Sequence, residues 1–150
     1  MGNAYLTRMP AGIPGDVSRK QESTLEAGLM AATVAYGAPV TLDANGKLAA
    51  LSGASDAIYG FVVRPYPTQE SAAAPGSVQD VLRRGYMTVK LAQGTAAKGD
   101  QVYARYAAAT GKAVGDIEAA AVENETMAVP GCLFMGGADG SGNVEISYNL

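Results

Sequence analysis

The chain contains no histidine, which removes the commonest general base and the commonest metal ligand at once. A Ser-His-Asp or Cys-His arrangement within one chain is therefore ruled out. What remains for chemistry is carboxylates, one thiol and eight tyrosines. Glu118, Glu123 and Glu125 lie close in sequence. Paired carboxylates hydrolyse glycosides, but a sugar cleft is usually lined with aromatic rings, and there is no Trp. A solvated acidic loop is the simpler reading. Cys132, in the apolar run PGCLFM, has no Cys or His partners for a zinc site and reads as a buried, inert thiol. Asp139-x-Ser141-x-Asn143-x-Glu145 places oxygen side chains at alternate positions as a calcium loop does, and Asp43-x-Asn45-Gly46 does so more weakly. Neither has the twelve-residue spacing that ends in a bidentate Glu, so turn chemistry explains both. Gly136, Gly137, Gly140 and Gly142 never lead into Gly-Lys-Ser/Thr, which excludes a phosphate-binding P-loop. Asn124-Glu125-Thr126 matches a glycosylation sequon by chance composition. These residues predict no enzyme, no cofactor and no metal.

The elements around them read as short strands. Ser23-x-x-Glu26 resembles a helix capping box, yet Leu25, Ala27, Leu29, Ala31, Thr33 and Ala35 alternate with period 2, and Gly28 and Gly37 weaken a helix; strand is preferred. Asp43-Ala44-Asn45-Gly46 predicts a hairpin, because Asn-Gly tolerates positive φ. Ile58 to Val63 suits a buried strand, and Tyr66 to Gly76 a loop. Val78 to Leu91 is the longest β-like stretch, with Gly85 marking a bulge or bend. Lys98-Gly99-Asp100 turns into a strand over 101–106, with Val102 and Ala104 facing one way and Tyr103 and Arg105 the other. Met127 to Met135 and Asn143 to Leu150 form a final strand pair. Ahead of these, residues 1–24 carry Pro10, Gly12, Pro14 and Gly15, which break any period. They also carry Tyr5, Leu6, Met9, Ile13 and Val17, apolar residues that a solvated tail has little need of.

The chain has 150 residues, the size of one domain. Leu, Ile, Val and Phe together supply only 29 of them against 28 Ala and 19 Gly. The formal charge of −3 gives no reason for disorder, so a thin sandwich or barrel completed against neighbours fits best. No Lys/Arg cluster offers the basic face that nucleic acid requires. No apolar run reaches membrane-spanning length, and no secretory signal is expected at the amino terminus.

Five segments together resemble the structural cement (capsid decoration) proteins of tailed phages: YLTRMPAGIPGDVSR near the start, IYGFVVRPYPTQ at 58–69, DVLRRGYMTVKL at 80–91, AAKGDQVYAR at 96–105 and PGCLFMGGADGSGNVEISYNL at the end. The likeness covers almost the whole chain and has no catalytic signature. It implies an all-β fold, an antiparallel β-sandwich or jelly-roll-like barrel over 25–150, with an extended N-terminal arm over 1–24. It implies attachment to the exterior of an icosahedral head in the virion, assembled in the host cytoplasm. The major capsid protein would be the partner, and the protein would act as a homo-oligomer, a dimer or trimer. In the matching arm it implies capsid contacts at Tyr5, Leu6, Arg8, Met9, Ile13 and Arg19, the arginines meeting acidic shell surface and the apolar side chains filling pockets. The competing expectation is a carbohydrate- or receptor-binding β-module on a tail or surface, which would show an exposed aromatic cluster.

Overall fold

The computed structural model describes residues 11–150. Among them the elements are a 3-10 turn, Lys20–Glu22, and eleven strands: β1 Thr24–Leu29, β2 Val34–Ala35, β3 Pro39–Leu42, β4 Leu48–Ala49, β5 Gly60–Val62, β6 Ala72–Ala73, β7 Val78–Gln93, β8 Gln101–Arg105, β9 Ile117–Glu118, β10 Thr126–Phe134 and β11 Asn143–Tyr148. The fold is all-β. β7 organises it. Its second half pairs with β11 on one edge and with β9 on the other, and the path β11–β10–β8–β9 links these two partners, closing a ring. Its first half pairs with β1 and β5, and the path continues through β3 to β4. A parallel bridge from Met30 to Leu48 closes this second, smaller ring.

Each ring has its own core. Alternating residues of β11 (Val144, Ile146, Tyr148) and β8 (Val102, Ala104) point into the larger one with Met87, Val89 and Phe134. Met30, Val34, Tyr36, Val40, Leu48, Val62 and Val81 fill the smaller one. Full burial of one such aliphatic or aromatic side chain contributes about 1.5–3 kcal/mol. Neighbours Val81 and Leu82 thus serve different cores, because successive strand residues face opposite sides. Leu82 shares the larger core with Met87 although period 2 would set them on opposite faces. Gly85, with φ of +133°, supplies the one-residue offset. A Cβ there would lie 2.9 Å from Ser23 Cα, so only glycine lets the chain pass so close.

The hairpin at 43–46 forms as the sequence indicates: Asp43 Oδ1 accepts from the amides of Asn45 and Lys47, and Gly46 takes φ of +75°. Two readings change. The alternation from Leu25 does not continue to Ala35 as one strand; it stops at Leu29, and β2 follows a turn. The loop over 66–76 contains β6, which pairs with β2 through Val34–Ala73 and Ala35–Ala72. Cys132 is fully buried in the larger core, and burial pushes its thiol far above the usual range. Native protein is therefore expected to be unreactive towards a thiol-specific dye over hours, with one thiol released on denaturation. Rapid labelling of the folded protein would contradict this placement.

Candidate functional site

Residues 11–18 do not project from the body. The amide of Gly15 donates to Thr88 O at 2.9 Å, Thr88 N to Asp16 O at 2.9 Å, and Ser18 N to Tyr86 O at 3.2 Å, with Val17 bridged antiparallel to Met87. This pairing lies on the edge of β7 that β1 occupies further along. From Val17 to Leu25 is eight residues, while the facing stretch from Met87 to Leu82 is five. The segment and β1 therefore act as one strand along β7, interrupted by a three-residue excess that the turn at 20–22 takes up opposite Gly85. This strap crosses from one ring to the other.

A clasp holds the strap from the far side. Arg64 N donates to Gly15 O at 2.9 Å, Arg64 Nε to Pro14 O at 3.0 Å, and its Nη1 to Glu70 O at 2.8 Å. The guanidinium lies 5.0 Å from the centre of the Tyr36 ring. Tyr66 Oη donates to Asp16, Asn143 Nδ2 to Gly12 O, and Thr88 Oγ1 to Ala11 O. Tyr66 consequently loses its proton less readily than a free tyrosine, first because of that hydrogen bond and then through desolvation. Gly15 is fixed by sterics. Its φ is +93°, and a Cβ would sit 2.7 Å from Tyr36 Cβ and 2.9 Å from Arg64 Cβ.

Of the expected contact residues, Tyr5, Leu6, Arg8 and Met9 lie outside the described residues. Ile13 is 49% exposed on the strap. Arg19 is turned back onto the body: its Nη2 meets Glu145 Oε1 at 3.0 Å, and its guanidinium stacks 4.1 Å from the centre of the Tyr86 ring. No sequence signal announced Arg64, Thr88 or Glu145 as partners of this segment, since each lies about 50 residues or more away.

The acidic cluster is resolved differently from expectation. Glu118 is not solvated; it is 1% exposed and accepts from Arg105 Nε at 2.7 Å, with Arg105 itself at 0%. Arg105 also pairs with Glu125 through Nη1. The alternation along β8 did put Arg105 opposite Val102 and Ala104, but there it meets Glu118 from the paired strand β9 and Glu125 from the turn before β10. Both oxygen-rich loops are turns: Asp139 Oδ1 accepts from the amides of Ser141 and Asn143. The backbone bond from Asn143 foremost, and that from Ser141, hold the Asp139 carboxyl below its ordinary range. Among the described residues no group of three or more Cys, His, Asp or Glu could hold a metal ion.

Beside the strap the surface is concave. A hollow of about 1200 Å³ lies among Ser18, Leu25, Val63, Tyr66, Asp80 and Glu145. A smaller one of about 140 Å³ adjoins it and shares Val63, Arg64, Pro65 and Asp80. Among the described residues these hollows gather carboxylates, hydroxyls, Lys20 and apolar side chains on one surface.

No curated protein matches the chain. Among solved structures, a chain of "The capsid of Myoviridae Phage XM1" superposes with a TM-score of 0.76, covering 99% of this chain and 97% of that one. At 22% identity this likeness speaks to the fold. The family model described as XM1 gp53 minor capsid protein matches residues 2–148. The chain belongs to the XM1 gp53 minor capsid protein family and is a structural component of a phage capsid.

Proposed function

We propose that the protein is a cement, or decoration, protein. In this reading it binds the outside of an icosahedral head as a dimer or trimer and bridges neighbouring major capsid subunits. The observation that carries the reading beyond family membership is the anchoring of the chain from Ala11 to Ser18. It anchors the chain directly after the contact candidates Tyr5, Leu6, Arg8 and Met9 in sequence, and Ile13, within the anchored stretch, is exposed. Arg19 would join them by exchanging Glu145 for a shell carboxylate. That exchange is cheap, since an ion pair this exposed contributes about 0.2–1 kcal/mol. A ligand that binds the expanded shell stabilises it by its binding free energy, and several linked copies add avidity.

The test is co-sedimentation of purified protein with expanded, undecorated capsids. Full-length protein is expected to bind saturably. Protein lacking residues 1–10, which retains the whole strap, should melt at nearly the same temperature yet bind at least tenfold more weakly. Equal binding by both forms would move the contacts off residues 1–10. Absence of binding by either form would sink the cement reading.

A further inference from the structure

The outer face of β1 and the first half of β7 has the character of an interface that none of the described residues covers. Glu26 and Gly28 of β1 face the smaller ring, Glu26 meeting Tyr59 and Arg83, and Gly28 packing on Leu48. Leu25, Ala27 and Leu29 therefore lie on the other face, opposite Leu82, which the larger core covers, and the exposed Asp80 and Val78. Leu25 is 41% exposed, Leu29 38%, Val78 67%, and Tyr66 beside them 65%. These are four of the eight exposed large hydrophobics among the described residues, gathered where a monomer would scatter them.

Two further observations say what kind of molecule fits. Asp80 stands in the middle of this face, lines both hollows, and its carboxylate has no hydrogen-bond or ion-pair partner among the described residues. Arg64, which lines the same hollows, does not neutralise it, because its guanidinium is committed to Pro14 O, Glu70 O and the Tyr36 ring. Lys20 lines the larger hollow only. The edge of β1 is also open over Leu25 and Ala27, ahead of the point where Ala31 N donates to Leu48 O and closes the ring. Met30 N donates to Ser77 O, and Val63 N to Asp80 O on the opposite edge of β7. By the alternation of an antiparallel ladder, Glu26 and Gly28 bond to β7, while the amide and carbonyl groups of Leu25 and Ala27 point away from it. They have no partner among the described residues. Edge strands are normally blunted by Lys, Pro or a bulge; here the outward residues are Leu and Ala.

We propose that this face is a second docking surface, and that its occupant is an extended strand of a neighbouring shell subunit carrying one Lys or Arg between apolar side chains. The strand adds to the edge of β1 by main-chain hydrogen bonds, its apolar side chains cover Leu25, Leu29 and Val78, and its cation meets Asp80. This rests on the cement reading and adds a partner chemistry to it that is independent of residues 1–10.

The experiment repeats co-sedimentation on undecorated capsids with full-length wild type, Asp80→Asn, Asp80→Lys and Val78→Glu. All three substitutions are at exposed positions and are expected to leave the melting temperature unchanged. Asp80→Lys and Val78→Glu should each weaken binding about tenfold or more, with Asp80→Asn between. Wild-type binding should fall more steeply with salt than that of Asp80→Asn. Wild-type binding matched by every variant overturns the proposed face and leaves the cement reading in place, whereas no wild-type binding overturns both. Normal capsid binding with lost self-association in sedimentation would also overturn the proposal, assigning the face to a second copy of this chain.

Discussion

Glu118→Gln is expected to lower stability by about 3–5 kcal/mol, the usual effect of removing one partner from a buried ion pair. At about 2–4 °C per kcal/mol for a chain of this size, the melting temperature should drop by about 6–20 °C. The reason lies in Arg105. It is fully buried, and its proton is held more tightly than usual, first by the hydrogen bond to Glu118 and then by that to Glu125. It stays charged whatever happens to its partner. Neutralise Glu118 and, although the glutamine oxygen can still accept from Nε, the only carboxylate left to the guanidinium among the described residues is Glu125, which is 37% exposed, with Ala107 O at 3.2 Å beside it. Arg105 Nη2 and Glu118 Oε2 already lack hydrogen-bond partners among the described residues, so this group has no slack. The pair Arg105→Met with Glu118→Leu should recover most of the loss, because a buried ion pair is often matched by apolar packing. Urea or thermal unfolding followed by circular dichroism measures both. A single variant within 1 kcal/mol of wild type would show that the pair does not bear on stability.

Gly15→Val should unfasten the strap while leaving the larger ring closed. The new side chain meets Tyr36 Cβ and Arg64 Cβ inside 3 Å, atoms fixed to the backbone that cannot swing away. Left-handed backbone at a non-glycine residue costs about 1–2 kcal/mol, and overpacking adds about 1–3 kcal/mol. The readout is local. Amide exchange should accelerate at Thr88, bonded to Asp16 O, and at Arg64, bonded to Gly15 O. Val144 and Ile146, in the larger core, should stay protected. Gly46→Ala is the control, since it shares a positive φ of +75° but has nothing within 4 Å of the added carbon. Equal exchange changes in both variants would attribute the effect to backbone conformation alone.

What could be read in advance was what local chemistry dictates. Asn45-Gly46 turns wherever it stands, Gly85 marked the bend of β7, and an apolar PGCLFM run buries its thiol. The all-β class followed from many such turns. What could not be read was set by distance along the chain. Val17 meets Met87 across 70 residues, and nothing near Val17 distinguishes a segment lying on a sheet from one leaving it. Prolines and glycines looked like breaks, although Gly15 is there to pass under Arg64. Glu118 looked like its neighbours Glu123 and Glu125; only the pairing of β9 with β8 turns it inward to Arg105. Composition places a carboxylate in a loop, and topology decides whether a cation waits beneath it.

The strap has a mechanical meaning. Its hydrogen bonds to β7 run across the strand direction, and they extend with β1 along both rings. A pull on the chain at Ala11 directed along β7 therefore strains the bonds of residues 15–18 together, in shear, instead of peeling them one at a time, and passes to those of β1 through the turn at 20–22. The same pull bears on both cores through β7, the wall they share. A body built this way hands tension from its leading residues into its whole mass, with no single rung left to fail first.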